Sequence, residues 1–448
     1  MTILTNRPSR PRPPSGRGNS TFRSLRVRNY RLYAIGGVVS NTGTWVQRIA
    51  QDWLVLLLFH GSPAAASTAL GVTTGLQFLP ILLFSPYAGL VADRLAKRRL
   101  LQLTKSWMTL CSAALAVLAL TGVVAPWMVF AIAFFFGAGS AFDAPARQAF
   151  VSEMVGPDDL TNAVGLNSAS FNLARVIGPA LSGALIAAFG NDILATGLVI
   201  LLNAVSYLAV IGALQLMREE DLVVSPRAAR GKGMVRDGVR YVRGRSDLML
   251  ILTTVFFVGT FGMNFQMTSA LMATQVFGKG SGEYGLLGTT VAIGSLAGAL
   301  LGARRIGRPR LRLVLLAATA FAVVEVGLGT MPSYAAFAMV TPVLGLAQLT
   351  MLNAANTTVQ LSVSPAMRGR VMALYMMLVM GGTPLGAPLV GWVGATLGAR
   401  WTLIGGGLMS LFGILVAVAV FGGLRPGPRL GWRGRESTAE CTDTAMAA

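Results

Sequence analysis

The sequence predicts an all-α membrane protein in which twelve transmembrane helices form two pseudo-symmetric six-helix bundles. Three observations carry that prediction. Hydrophobic residues make up 54% of the 448 and charged residues only 12%, with a mean hydropathy of +0.63, too apolar for a chain that must solvate its whole surface. Apolar stretches of roughly 20 residues, the length that crosses a bilayer as a helix, recur along the chain. Outside those stretches, lysines and arginines fall on alternate connections, as they do when basic loops stay on the cytoplasmic side.

Residues 1–21, with Pro8, Pro11, Pro13 and Pro14, hold too little apolar surface for a core and read as a disordered tail. No short apolar signal region precedes the first span, which then serves as the insertion signal. The first bundle, over 22–216, holds spans near 32–59, 68–88, 100–121, 126–146, 162–189 and 193–216. The second, over 246–424, holds spans near 248–273, 284–303, 311–331, 334–357, 368–397 and 400–424, and 425–448 read as another disordered tail. Between the bundles, the connection 217–245 contains MVRDGVRYVRGR, which sets Met234, Val235, Val239 and Val242 against Arg236, Arg240 and Arg243. That spacing predicts an amphipathic helix at the membrane surface.

Only Lys279 and Arg400 fall on the outer connections, and among the bases only Arg48 and Arg175 lie inside spans, so both termini are expected in the cytoplasm. The halves repeat one another. A constant offset carries Val155 to Val363, Pro157 to Pro365, Leu166 to Leu374, Gly178 to Gly386, Gly183 to Gly391 and Gly190 to Gly398, so span 5 matches span 11.

The formal charge of +20 would suit a nucleic-acid partner, but the bases punctuate apolar runs rather than interleave with aromatics on one face, so no nucleic acid is expected. No glycine-rich loop ending in Lys-Ser/Thr supplies a nucleotide site. Neither a nucleophile motif nor a metal-ligand cluster is present, so the chain reads as no enzyme and needs no cofactor. Cys111 and Cys441 give no disulfide framework. His60, the lone histidine, sits in an outer loop, which leaves carboxylates to carry protons through the centre.

Between spans 2 and 3 lies GLVADRLAKRR, residues 89–99: Gly89 for close approach, Asp93 for the backbone donors of a helix N-terminus, and Arg94 and Arg98 among the bases that hold the loop inside. This segment resembles the loop between helices 2 and 3 of the major facilitator superfamily of secondary transporters, with Ala96 where the family has glycine. Its degenerate copy in the second half has Gly298 and Gly302 followed by Arg304 and Arg305. Span 5 carries Gly165, Ala174, Gly178, Pro179 and Gly183 at the spacing of the motif found in the superfamily's proton-coupled exporters. Those residues also fit ordinary small-residue packing. AFDAPARQAF in span 4, FNLARVIGPAL in span 5 and RGRVMALY at span 11 resemble the enterobactin-exporter and macrolide-efflux branch.

Charges inside a bilayer are costly unless paired or wet, so the intramembrane ones are candidate sites. Arg48 and Asp52 stand one helical turn apart in span 1, either as proton carrier Asp52 with modulator Arg48, or as a pair that neutralises itself or snorkels outward. Arg175 meets an anionic substrate group or pairs with a carboxylate such as Asp52. Glu325, in a span peripheral in this fold, reads as a structural polar contact, with proton transfer the alternative. Asp143 and Arg147 are expected to latch onto Asp93 and Arg94, unless they form only a solvated pair. Asn264 and Gln348, with Met263, Gln266, Met267, Asn353, Tyr375, Met376 and Met380, are candidates to line a cavity. The resemblance implies a multi-pass monomer of the inner membrane that exports a small, partly apolar molecule, an antibiotic, drug or siderophore, in exchange for protons. Import or facilitated diffusion on the same fold, and a non-transporting receptor or assembly factor, are the alternatives.

Overall fold

Proline opens four of the long helices, at Pro63, Pro126, Pro157 and Pro365, where its fixed φ suits the first turn and its missing N–H would be unpaired anyway. The computed structural model describes residues 22–223, 234–304 and 311–422. The tails expected over 1–21 and 425–448 therefore lie outside the described residues. The first half runs as α1 (Arg28–Leu58), α2 (Pro63–Arg94), α3 (Lys97–Leu120), α4 (Pro126–Met154), α5 (Pro157–Ala188) and α6 (Ile193–Gln215). A short α7 (Met234–Arg243) precedes the second half. There the seventh span is assembled from α8 (Ser246–Phe257), a π turn over Val258–Gly262, α9 (Phe265–Leu271) and a second π turn over Met272–Val276. It is followed by α10 (Ser281–Arg304), α11 (Leu311–Gly329), α12 (Tyr334–Ser362), α13 (Pro365–Leu397) and α14 (Ala399–Phe421).

Among the described residues, 11 helices are long and apolar enough to cross a membrane, the composite seventh span counting as one. The twelfth span is α1, whose 31 residues suffice in length. Its Asn41, Gln47, Arg48, Gln51 and Asp52 hold its hydropathy down, and of these Asn41, Gln47, Gln51 and Asp52 are buried within the bundle.

Successive spans alternate in direction, so the starts of α1, α3 and α5 gather at one end, called here the near end, and their last residues at the far end. Far-end turns are tight, and Gly61, Gly122, Gly190, Gly278 and Gly398 adopt positive φ there, as only glycine does cheaply. Within the first half α1 packs on α5 and α6, and α2 on α4; within the second, α10 packs on α12 and α11 on α14. The halves meet along α2 against α13 and α5 against α10.

Both meetings depend on missing side chains. A Cβ on Gly285 would stand 3.1 Å from the Gly183 Cα, and one on Gly71 would stand 3.0 Å from the Gly391 Cα. Gly183 and Gly391 are the equivalent positions of the internal repeat, so one backbone contact is made twice.

A helix forms between the halves as α7, and of the four residues on its expected apolar face the side chains of Met234 and Val235 lie outside the described residues. Gly238 lies against Leu374 and Arg370 of α13 and Val242 is buried, whereas Val239 is exposed. The helix lies against the near end of α13 instead of resting on its valine face alone.

Candidate functional site

The two halves enclose a cavity of about 490 Å³, lined on one side by α1, α2, α3, α4 and α5 and on the other by the seventh span, α10, α12 and α13. Asp52 closes it towards the far end. Its Oδ2 accepts from Gln266 Nε2 at 2.7 Å and from the Tyr284 hydroxyl at 2.7 Å. Trp53 stacks on Tyr284, with ring centroids 6.4 Å apart. A carboxylate of the first half is thus held by two donors of the second. Further bonds join the halves: Gln275 donates to the Pro63 carbonyl of α2 at 2.9 Å, and from α10 to α5 Ser281 donates to the Gly183 carbonyl at 3.3 Å and Thr289 to the Val176 carbonyl at 2.7 Å.

The partners of Asp52 stand where the seventh span is broken. After the first π turn the chain passes through Met263 and Asn264 in non-helical conformation before α9 restarts at Phe265. Asn264 returns one amide hydrogen to the Thr260 carbonyl at 2.8 Å, while its Oδ1 is buried without a partner beside the cavity. Such breaks are tolerated at membrane depth where they line a cavity or are covered by protein.

Arg48 and Asp52 form no ion pair, contrary to the expectation from their spacing. Arg48 lies over the rings of Trp45, at 4.9 Å, and Phe78, at 5.5 Å, and its Nε has no hydrogen-bond partner. Arg175 does not pair with Asp52 either; its guanidinium lies 5.8 Å from the Trp45 ring. Both arginines line the cavity.

Nearer the terminal-bearing end, Asp143 accepts from Lys105 Nζ at 3.1 Å and from the Thr104 hydroxyl at 3.2 Å, with Arg147 Nε at 3.7 Å. Arg147 also reaches Asn41 Oδ1 at 3.4 Å and lies over Phe171. The carboxylate is therefore occupied by Lys105 and Thr104 of α3, and of the expected latch of Asp143 and Arg147 onto Asp93 and Arg94 only the Arg94 side is described. Arg94 is exposed, and the Asp93 side chain lies outside the described residues.

The segment at 89–99 is also less of a loop than its sequence suggests. α2 runs through Gly89 to Arg94 and α3 starts at Lys97, leaving only Leu95 and Ala96 between them. Lys97 turns inward onto Glu153 at 2.5 Å, and Arg98 donates to the Leu214 carbonyl at 2.6 Å and binds Glu219. These bases fasten α3 to the ends of α4 and α6.

In span 5, Gly178 receives Trp45 and the Thr42 carbonyl of α1, while Pro179 and Gly183 face Gly285 and Gly288 of α10. Ala174 is buried, and Gly165 faces open space. The motif residues therefore serve the packing of α5 between the other half and the helix that carries Arg48. Glu325 does not make the polar contact expected of it. It is 1% exposed, lies outside the cavity lining, packs against Gly262 and Gly406, and has no hydrogen bond at Oε2.

Among the cavity candidates, Asn264, Gln348, Met263, Gln266, Met267 and Met380 line it. Asn353, Tyr375 and Met376 do not; Met376 is exposed, and the Tyr375 hydroxyl donates to the Leu352 carbonyl at 3.1 Å. Sequence reasoning missed Tyr284, an uncharged residue in a glycine-rich helix start at the outer end of a span. It also took Lys105 for a loop base, although five residues of apolar span precede it.

Comparison with known proteins identifies the family and the fold. The profile of the family described as transmembrane secretion effectors matches residues 19–425. The chain is 27% identical over 403 residues to the multidrug efflux pump Tap of Mycolicibacterium fortuitum, covering 87% of this chain and 94% of the pump. It is 28% identical over 261 residues to the staphyloferrin A transporter of Staphylococcus aureus, which takes in 58% of this chain but only 63% of that transporter's length. A crystal structure of a D-xylose–proton symporter superposes with a TM-score of 0.66 at 13% identity, covering 89% of this chain and 97% of the symporter, a likeness of fold.

Proposed function

The chain belongs to the transmembrane secretion effector family of major facilitator transporters, multi-pass membrane carriers and not enzymes, and on that premise we propose that it exports a small, partly apolar molecule by proton antiport. The observation that carries this reading is the placement of Asp52. Its carboxylate lies at the edge of the cavity, in a set of side-chain hydrogen bonds that, alone among the described residues there, ties an acid of one half to donors of the other. Gain or loss of one proton at that atom changes what Gln266 and Tyr284 are bound to, and so changes the bias between a far end that is closed and one that is open.

In this cycle the halves 22–216 and 246–424 rock about the cavity, and the near end, with both termini, faces the cytoplasm across the inner membrane. Substrate enters from the near end. A proton arriving from outside when the far end is open displaces it, and closure over protonated Asp52 returns the site inward, where the proton leaves. A monomer suffices, because cavity and gate are built from one chain. The names of the similar proteins support an antibiotic, drug or siderophore as cargo.

The test is gradient-driven efflux from vesicles loaded with a macrolide or a siderophore, with and without an uncoupler. The wild-type protein is expected to export only while the proton gradient stands. Asp52→Asn is expected to lose gradient-driven export by at least tenfold while still binding cargo. Uncoupler-insensitive export, or full export by the asparagine variant, would reject the reading.

A further inference from the structure

The charges that line the cavity do not balance. Asp143 is taken by Lys105 and Arg147, and Asp52 is engaged by Gln266 and Tyr284. Arg48 and Arg175 remain, and among the described residues neither makes a hydrogen bond or an ion pair. Both guanidiniums lean on the same indole: Arg48 lies 4.9 Å and Arg175 5.8 Å from the Trp45 ring centroid. An aromatic face attracts a cation without neutralising it. Two like charges are therefore held together inside a membrane protein with their donors unspent, and a guanidinium carries five of them in a planar fork.

The local packing keeps them there. Gly178 leaves room for Trp45 against α5, and Arg175 stands one turn before Gly178 on that helix, so α1 and α5 deliver one arginine each to the same ring. Apolar side chains share the lining with them: Phe78 and Phe171 on their own half, and Met263, Leu352, Val379 and Met380 across the cavity.

We propose that the cavity takes an amphipathic organic anion, whose oxyanion group, a carboxylate or a phosphate, is bridged by Arg48 and Arg175 while its apolar body lies between the phenylalanines and the methionines. This rests on the reading of the cavity as the transport site, and it narrows the cargo. An amphipathic cation would have to enter a lining in which four bases face two acids, whereas an oxyanion supplies the acceptors that Arg48 and Arg175 lack. Methionines and aromatic faces accept many apolar shapes, so selection here acts on charge more than on outline.

The experiment measures equilibrium binding to the purified full chain in lipid nanodiscs, with no gradient. Four probes share a naphthalene body: naphthylacetate, naphthyl phosphate, naphthylacetamide and naphthylethylammonium. At least one of the two anions is expected to bind tenfold or more tightly than the amide and the ammonium, and the better of the two identifies the headgroup. Arg48→Gln and Arg175→Gln are each expected to weaken anion binding at least tenfold with thermal unfolding unchanged within a few degrees. Arg175→Glu should remove the preference for anion over ammonium, a reversal that misfolding would not produce. Ammonium or amide binding as tight as either anion, no measurable binding of any of the four, or anion binding indifferent to both arginines, would overturn the proposal. Because no gradient is applied, lost anion preference with intact export refutes the cargo class alone, and intact preference with failed export refutes the direction or coupling alone.

Discussion

The two walls of the cavity are made of different chemistry. The first half supplies every charged residue that lines it: Arg48, Asp52, Lys105, Asp143, Arg147 and Arg175. The second supplies amides, methionines, hydroxyls and a break in its first helix, and the acid it does bury, Glu325, is turned away from the cavity. Duplicated halves have kept the same contact at their interface, glycine on backbone at Gly183 and Gly391, while dividing the work inside it. One wall holds charge in place, and the other offers adaptable partners that can be taken up or released as the walls move.

The strongest way to break that division is to remove the acid that keeps the charged wall together. Asp143 is buried between Lys105 and Arg147, so Asp143→Leu leaves the buried Lys105 without its acid and the half-buried Arg147 without a counter-charge, and is expected to destabilise the protein by about 3–5 kcal/mol. Adding Lys105→Met should recover most of that loss, because an apolar pair of similar volume replaces a desolvated one. Thermal unfolding in detergent or nanodiscs checks both. An unchanged midpoint in the single variant would show that water already solvates the site.

A sharper contrast sets Asp52 against Glu325. Both are acids buried in the bundle, but only Asp52 joins the halves. Glu325→Gln is expected to keep gradient-driven export within about twofold and to change stability by less than ~1.5 kcal/mol, since no charge-assisted bond is lost and Oε2 has no partner to forfeit. Vesicle efflux measured beside Asp52→Asn tests it, and equal losses in the two variants would make Glu325 part of the proton path.

The contrast also explains what the sequence made legible. Spans, turns, the repeat and the family could be read because hydropathy, proline and glycine act locally and leave local marks. Charged residues in span 1 announced themselves for the same reason. Their partners did not. Arg48 and Asp52 are neighbours on one helix, yet Asp52 is bound by Gln266 and Tyr284, more than 200 positions away, and Arg48 by rings. Intrahelical spacing fixes which side chains have the opportunity to meet, and tertiary packing supplies competitors with better geometry. Glu325 is the opposite case. Span number alone placed it at the periphery, and the absence of glycine side chains at 262 and 406, invisible as a pocket in one dimension, is what lets it be buried without a partner.

The duplicated interface gives a matched pair of smaller effects. Gly183→Ala and Gly391→Ala each place a methyl group against the backbone of the facing helix, where Gly285 and Gly71 leave no slack. Each is expected to cost about 1–3 kcal/mol, felt as a shift away from the far-end-closed state. Gly212→Ala, which meets open space on α6, serves as the control. Distance measurements between labels on the far-end turns after residues 58 and 276 would report the opening. A large effect at one glycine and none at the other would mean that the two interfaces, alike in backbone, do not share the closing equally.

The smallest effect is expected at the residue where this chain departs from the pattern of its family. Ala96 joins α2 to α3 with φ −59° and ψ 117°, a conformation open to any L-residue, and no positive φ occurs anywhere between Arg94 and Lys97. Glycine is not needed for this turn. Its effect on the folded state is therefore slight, and restoring it acts chiefly on the unfolded chain, which gains freedom: Ala96→Gly should lower stability by about 0.4–1 kcal/mol and leave export unchanged. The bases on either side make the same point from the folded state, since Lys97 on Glu153 and Arg98 on the Leu214 carbonyl already fix how α3 starts. A gain in export rate from Ala96→Gly, measured in the same vesicles, would mean that this turn changes conformation during the cycle. The hinge would then lie on the charged wall and not, as the broken seventh span suggests, on the neutral one.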